Sequence, residues 1–293
     1  MLSSCYIDEA KKTDVRTLTI ASDYLKVRDS ILFKSFAAKN SIKINIIELT
    51  TSELIGLTNE DKYSSDIDLL MMKSLYEVNR LNKSQLLHEL PDDLFIGEQS
   101  NAYSSRKHRF IGFGVDPYTI SRAADSIPYL NSFDALKTTY SSHSLRKNEL
   151  IPFLSASYSN RSAVEGNMMV IDFIQNVPFL EVNDTMHYTL ETRIINRDSI
   201  STTIAAPMTH VRKNNRVYNI RTIGILNQAN DYNFAVKFIQ YLIKQEGAEE
   251  IDKTLGFINV YTAYKQGFHS AFSANEMLPH YLQIDRILKK YNY

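Results

Sequence analysis

The sequence contains a single cysteine and no tryptophan, and it is poor in glycine and proline, with 9 and 7 residues among 293. One cysteine can form neither an internal disulfide nor a zinc site made of several thiolates. The low glycine and proline contents exclude collagen-like and low-complexity architectures. No apolar run approaches the roughly 18 residues that a membrane-spanning helix needs. These absences leave an ordinary globular chain.

The sequence also lacks an excess of charge of either sign. The 33 basic and 33 acidic residues give a formal net charge of zero. A nucleic-acid-binding protein normally shows a basic excess or stripe, so a nucleic-acid partner is not predicted. The 44% hydrophobic and 23% charged residues lie in the usual range of folded proteins. A chain of this length accommodates one large domain or two smaller ones.

Sequence motifs of common enzymes are missing as well. The seven histidines never pair at the spacing of a metal site, and neither an HExxH motif nor a GxSxG elbow nor a P-loop occurs. The pair Gly112 and Gly114 lacks the third glycine of a dinucleotide-binding fingerprint. No nucleophile is indicated, so we predict no catalytic residues and a protein that is not an enzyme.

The amino-terminal residues suggest a lipid anchor. Leu2-Ser3-Ser4-Cys5 is similar to the end of a bacterial lipoprotein signal, in which the cysteine is lipidated, although the apolar segment of a full signal is not recognisable. The polar residues that follow, up to residue 14, suit a tether between an anchor and a domain. The alternative for Cys5 is an unremarkable or buried thiol.

Strand and helix patterns alternate in the first third of the chain. Strands are predicted at 17–21, 42–47 and 67–72, with helical patterns between them. This alternation indicates βαβ units and a largely parallel sheet, in which a ligand binds outside the carboxyl ends of the strands. Those ends are predicted at 22–24, 48–50 and 73–74.

Apolar periodicity predicts the core faces of four helices. A helical pattern is also predicted at 74–81, a short helix could begin at 132–136, and another short helix is predicted to begin at an N-cap on Ser52. The predicted core-facing residues are Ile31, Leu32 and Phe36; Val164, Met168, Ile171 and Ile174; Phe234, Phe238, Tyr241, Leu242 and Ile251; and Leu282, Ile284, Ile287 and Leu288.

A hydroxyl-rich segment at 154–162 precedes the second of these helices. Free N–H groups at a helix start, beside serine hydroxyls, can hold an anion or a carboxylate. The alternative is an ordinary serine N-cap. His210 ends an apolar run at 204–210, where a single histidine is more often structural than a ligand.

Four segments together resemble the type 2 periplasmic substrate-binding proteins of ABC importers, and among them the ferric-iron-binding branch. The segment 65–74 is similar to the family's strand with a central aspartate, here Asp68, and 110–115 is similar to its crossover strand. Residues 155–160 resemble its serine-rich anion-binding turn, and 233–249 resemble its carboxy-terminal helix. The four segments occur in the family's order between residues 17 and 260.

The resemblance implies an α/β fold of two Rossmann-like lobes joined by a two-strand hinge, which closes over one ligand. The implied organisation is a tether at 1–14, lobe one at 15–109 with 222–265, and lobe two at 110–221 with 266–293. It also implies a monomer on the periplasmic or cell-surface side of a bacterial membrane. Lipid on Cys5 would hold the protein there, beside an ABC permease.

The expected ligand site lies between the lobes and is formed by Tyr24, Ser74, Ser157, Tyr158, Asn160 and His210. Ferric relatives carry two adjacent tyrosines, whose phenolates suit Fe³⁺. This chain has Met208-Thr209-His210 at the matching place. Its candidate metal ligands are therefore Tyr24, Tyr158 and His210, and Fe³⁺ would be a transported ligand, with no resident cofactor.

The sequence favours a substrate-binding lipoprotein that captures iron, an iron–anion complex or another small anion. The alternative is a binding fold that has lost transport and serves as a surface sensor or a partner-binding module. An enzyme on the same scaffold is the least favoured hypothesis, and a carboxylate pair or a lysine with a shifted pKa in the cleft would be its sign.

Overall fold

A computed structural model defines the fold of most of the chain. It describes residues 15–57, 66–75, 77–78, 81, 85–95, 104, 107–122, 143–144, 163–176, 188–192, 206–207, 218–244, 247, 258–265 and 274–291. The strands are β1 (Thr17–Ser22), β2 (Lys43–Glu48), β3 (Leu69–Met72), β4 (Ile111–Arg122), β5 (His143–Ser144), β6 (Tyr188–Thr192), β7 (Ala206–Pro207), β8 (Tyr218–Ile225) and β9 (Ile258–Asn259). The α-helices are α1 (Lys34–Asn40), α2 (Thr51–Gly56), α3 (Ala163–Asn176), α4 (Tyr232–Ile243), α5 (Val260–Lys265) and α6 (Ala274–Lys290), and short 3₁₀ helices occupy Val27–Phe33 and Asp92–Phe95.

The strands of the described residues form one sheet in the order β2-β1-β3-β8-β4-β6-β5, with β7 and β9 also paired to β4. β1 runs parallel to both β2 and β3, as the sequence predicts for βαβ units. β8 runs antiparallel to both β3 and β4. The pairing of β4 with β8 shifts register between Gly112 and Gly114. The three predicted strands of the first third are confirmed, whereas the sequence predicted no strand at 218–225.

Asp68, the aspartate that precedes β3, links separate segments of the chain. Its carboxylate accepts hydrogen bonds from the backbone N–H groups of Thr19 at 2.8 Å, Asn230 at 2.8 Å and Asp231 at 3.3 Å. One side chain, itself 1% exposed, thus connects β1 to the turn between β8 and α4. Several N–H donors compensate the cost of burying the carboxylate.

Aromatic side chains form the centre of the apolar core beneath α4. The ring of Phe238 meets the rings of Phe33 and Phe36 edge-on, with centroids 5.1 Å apart in each pair. The predicted core face of α4 is confirmed for Phe238 and Leu242, which are buried, while Phe234 and Tyr241 are half-buried against the core. Ile251 lies outside the described residues.

The predicted core faces of three other helices are confirmed in part, since Phe36 and Ile174 are buried and Leu32 and Ile171 are half-buried against the core. Ile31, Val164, Met168 and Leu282 are exposed. In α3 the buried residues are Met169, Val170 and Ile174, and in α6 they include Tyr281 as well as Ile284, Ile287 and Leu288. α3 and α6 pack against each other, and Gln283 donates a hydrogen bond to Asn167 at 3.3 Å. Both helices carry apolar residues on two faces, so the packing partner decides which face is buried.

The N-cap of α2 is also corrected from Ser52 to Thr50. The Thr50 hydroxyl accepts the Glu53 N–H at 3.2 Å, and the Glu53 carboxylate accepts the Thr50 N–H at 2.6 Å. This reciprocal pair is a capping box, which satisfies two N–H groups that the helix leaves open. Among the described residues no helix is both long and apolar enough to cross a bilayer. The predicted lobe boundaries stay predictions.

Candidate functional site

The carboxyl ends of β1 and β3 lie side by side because the two strands are parallel neighbours. Asp23 follows β1, and Lys73 follows β3. One carboxylate oxygen of Asp23 accepts the Lys73 backbone N–H at 2.9 Å, and the other accepts the Thr51 hydroxyl at 2.9 Å. Asp23 therefore connects both strand ends to the start of α2.

β8 contributes two polar side chains from the opposite side of β3. Arg221 donates from Nη1 to the Lys73 carbonyl oxygen at 2.8 Å, and the Asn219 amide donates to the same oxygen. Arg221 is only 1% exposed, and its guanidinium carbon lies 5.2 Å from the centroid of the Tyr24 ring. A cation over an aromatic face is attracted by the ring quadrupole. The backbone of Lys73 is thus held through both its N–H and its carbonyl.

A second buried carboxyl, that of Glu77, lies within the same electrostatic cluster. Burial, and after it the charge of Asp23, raises the pKa of Glu77 from its ordinary value of 4.5 to about 8, although Lys73 and Arg221 oppose the shift. Glu77 is 1% exposed, and neither carboxyl oxygen has a hydrogen-bond partner in the described part of the chain. At neutral pH this side chain is therefore mostly protonated.

Burial also raises the pKa values of Asp23 and Tyr281. Burial raises the pKa of Asp23, while Lys73 and the hydrogen bonds from Thr51 and the Lys73 N–H lower it. Burial and the charge of Glu77 raise the pKa of Tyr281, which lies on α6. The term "polar cluster" is used below for these groups: Asp23, Lys73, Glu77, Arg221 and Tyr281.

An open pocket of about 260 Å³ lies beside the polar cluster, at the carboxyl ends of β1 and β2. It has both acidic and basic side chains at its wall. Its lining residues are Ser22, Asp23, Tyr24, Leu25, Lys26, Glu48, Leu49, Thr50 and Glu53. The pocket therefore coincides with two of the strand ends at which the sequence predicted a ligand crevice.

Two of the predicted site residues can be located. Tyr24 is half-buried, lines the pocket and lies against Arg221. Ser74 is buried, and its hydroxyl accepts the Glu77 backbone N–H at 3.5 Å, so it begins the helical turn that carries Glu77. The other predicted residues, Ser157, Tyr158, Asn160 and His210, lie outside the described residues, as does Cys5.

The sequence does not indicate the polar cluster as a unit. It predicts Asp23 and Lys73 only as strand ends, and it assigns no role to Glu77 or Arg221. A signal was present, because Asn219 and Arg221 alternate with apolar residues in β8, and both are buried. A buried arginine in the middle of a strand needs partners, and the end of the neighbouring strand β3 supplies one of them.

The described residues contain no group of three or more histidine, cysteine, aspartate or glutamate side chains that could hold a metal ion. Of the candidate iron ligands, only Tyr24 belongs to this part of the chain. Its ring faces the Arg221 guanidinium, whose positive charge would repel a metal cation placed beside Tyr24.

Asp23 and Glu77 form a carboxyl pair with raised pKa values beside a lysine, the feature named above as the sign of an enzyme. The geometry does not suit catalysis. Both oxygens of Asp23 accept hydrogen bonds from the protein, and Glu77 is only 1% exposed. A general acid or base must come within hydrogen-bond reach of its substrate. The pair is instead placed to set the charge of the strand ends.

Comparison with solved structures identifies the class of fold. The chain aligns with the Trichodesmium protein IdiA (FutA), solved in complex with iron and citrate, at 15% identity and a TM-score of 0.73, covering 94% of this chain and 98% of that chain. It aligns with ferric iron-binding protein A of Mannheimia haemolytica, in an open conformation, at 13% identity and a TM-score of 0.73, covering 95% and 99%. The chain thus has the type 2 periplasmic binding protein fold, as predicted.

A structure of different description shares this fold. It is a two-component system protein that mediates signal transduction, with 15% identity, a TM-score of 0.66 and coverage of 93% of this chain and 100% of that chain. No family model matches the chain, and no curated protein matches it. At identities this low, the structural similarity establishes only the fold. The ligand has to be argued from the residues of the site.

Proposed function

We propose that the protein is the substrate-binding protein of an ABC importer and captures a small ligand between two lobes by hinge closure. The observation that carries the proposal is the polar cluster and its pocket at the carboxyl ends of β1, β2 and β3. In open α/β sheets this is where ligands bind. Binding proteins of the same fold align over nearly the whole chain, and several of them are described as iron-binding.

The ligand we propose is iron, an iron–anion complex or another small anion. Lobe one would contribute Tyr24 and Ser74, whereas lobe two would contribute Ser157, Tyr158, Asn160 and His210. Serine hydroxyls and free N–H groups at a helix start bind an anion, and phenolate and imidazole groups bind ferric iron. Tyr24, Tyr158 and His210 are the proposed ligands if iron is bound.

Lipidation of Cys5 would complete the arrangement. A lipid on this residue, followed by the polar residues up to residue 14, would hold the protein at the outer face of a membrane, where it could deliver ligand to a permease. Mass spectrometry of protein from its native membrane tests this step, since a diacylated amino-terminal cysteine has a defined added mass. An unmodified Cys5 in membrane-free protein would contradict it.

A surface sensor is the second candidate function. It is supported by the similarity to a two-component system protein of the same fold. A sensor and a transport protein can share the same ligand-induced closure. They differ in their partner, which would be a signalling receptor in one case and a permease in the other.

Native mass spectrometry of the purified protein, with metal analysis of the same sample, tests the proposed function. Stoichiometric iron or a small organic adduct is expected. Small-angle scattering should then show a more compact molecule after addition of ferric citrate or of citrate alone. A bare mass together with no compaction by either probe would contradict ligand capture and favour a partner-binding module.

Two variants test the lobe-two residues. Ser157→Ala and Tyr158→Ala should weaken binding of the captured ligand by about tenfold or more, because each removes a polar contact. The melting temperature of the empty protein should change little. Ser159→Ala, in the same segment, is the matched control. Affinities equal to that of the wild type in both variants would remove these residues from the site.

A further inference from the structure

We propose that the Lys73 ammonium is the lobe-one anion-binding group and contacts a carboxylate or phosphate oxygen of the ligand. This inference rests on the proposed function, because it names the class of ligand that the same cleft would take. It adds a specificity residue that neither the expected site nor the comparisons contain. The geometry of the polar cluster carries the argument.

Lys73 is half-buried, and its backbone is held by hydrogen bonds on both sides. Its N–H donates to Asp23, and its carbonyl accepts from both Arg221 and Asn219. In the part of the chain that the structure describes, its ammonium forms no hydrogen bond and no ion pair within 4 Å. Holding the backbone on both sides reduces the entropy that ligand binding would cost. The ammonium therefore remains available at a strand end where this fold binds ligands.

The charges around Lys73 favour an anion. The cluster contains two cations, Lys73 and Arg221, whereas Asp23 is its only carboxylate while Glu77 holds its proton. Tyr281, whose pKa is raised by burial, adds no charge in this range. The carboxylates of Glu48 and Glu53, which also line the pocket, accept the backbone N–H groups of Val27 and Thr50. With Asp23 ionised, the net charge of the cluster is therefore positive. A bare metal cation would be repelled by this charge, and an oxyanion would be attracted.

Glu77 makes that attraction dependent on pH. As the pH rises through about 8, the buried carboxyl loses its proton and adds a negative charge close to Lys73 and Arg221. The net charge of the cluster then falls towards zero, and affinity for an anion should fall with it. Glu77→Gln keeps the side chain neutral at every pH, so the variant should bind the anion without this decline.

Isothermal titration with citrate and with inorganic phosphate tests the inference. Lys73→Gln should weaken the better of the two anions by about 10- to 100-fold, the usual effect of losing a charge-assisted hydrogen bond. Lys43→Gln is the matched control, because Lys43 is exposed at the start of β2, at the opposite end of that strand from the pocket. Its affinity should stay within about twofold of the wild type once salt screens distant charges.

Glu77→Gln supplies a second measurement in the same assay. Between about pH 7 and pH 9 the affinity of the wild type should fall relative to that of the variant, because titration of the anion itself affects both proteins alike. Equal affinities of wild type and Lys73→Gln would overturn the inference, and so would a wild type that binds neither anion. If the wild type nevertheless captures iron and becomes compact, the proposed function stands and only the proposed role of Lys73 is wrong. If no probe binds to the wild type or makes it more compact, the role of Lys73 and the proposed function are both wrong.

Discussion

Two buried regions of this protein differ in what they cost and in what they do. The aromatic cluster of Phe33, Phe36 and Phe238 beneath α4 contains no polar atom, and its edge-to-face rings follow the packing that aromatic quadrupoles favour. The polar cluster buries Arg221 and two carboxyl groups at the strand ends, where desolvation opposes folding. A chain that needed only stability would fill the second region with apolar side chains. The aromatic cluster serves the fold, and the polar cluster lies where we propose that the ligand binds.

The largest expected effect is in the aromatic cluster. Phe238→Ala should lower the free energy of unfolding by about 4 kcal/mol, because it removes a fully buried ring and leaves a cavity among its neighbours. Urea denaturation measures the change. Phe234→Ala, at a half-buried position of the same helix, should cost clearly less. Equal losses in the two variants would contradict the central position of Phe238.

Arg221→Met probes the polar cluster at nearly constant volume. It should cost about 3 kcal/mol, because it removes the bond to the Lys73 carbonyl and a cation beside Asp23. Arg16→Met is the control, since Arg16 is exposed and its ion pair with Asp231 at 3.4 Å should contribute at most about 1 kcal/mol. If Arg221→Met were as mild as the control, the cluster would not depend on this charge.

Glu77 should make the free energy of unfolding depend on pH. Its pKa is raised on folding, so between pH 4.5 and about 8 the native state holds a proton that the unfolded state has lost. Stability relative to Glu77→Gln should therefore be greatest at low pH and decline by about 1 kcal/mol per pH unit up to about pH 8. Urea denaturation of both proteins across this range measures the difference.

Glu53→Gln is the control for the pH experiment. Hydrogen bonds from Thr50 lower the pKa of the exposed Glu53, so its contribution is present above the ordinary value of 4.5 and is lost as the pH falls below it. Between about pH 5 and pH 8 this variant should show no slope relative to the wild type. A flat Glu77→Gln difference across the same range would mean that Glu77 is not buried as a neutral acid.

The smallest expected effect distinguishes two candidate helix caps. Thr50→Ala should cost about 1 kcal/mol, because it removes the hydroxyl that accepts the Glu53 N–H. Ser52→Ala, at the position that the sequence favoured as the cap, should be nearly neutral. Thermal or urea unfolding of the two variants measures the contrast. The reverse order of effects would restore Ser52 as the cap.

Local patterns predicted the parallel strands and α4 well, because burial of a strand between helices, or of one helix face, leaves a strong periodic signal. They failed where two faces of a helix are both apolar. In α3, Val164 and Met168 were expected in the core, yet Met169 and Val170 are buried, and α3 packs against α6. They also failed at α2, where the hydroxyls of Thr50 and Ser52 are equally plausible caps until the backbone direction is known.

The amino-acid sequence by itself determined the βαβ arrangement of β1, β2 and β3, the core face of α4 and the resemblance that named the fold class. These follow from local periodicity and from the order of short motifs, which survive without knowledge of distant contacts. Only the tertiary structure brought Asp23, Lys73, Glu77, Arg221 and Tyr281 together, because they come from segments that are far apart in the chain. The pKa of Glu77 and the charge of the site depend on that approach, since burial and the neighbouring charges arise only when the segments pack.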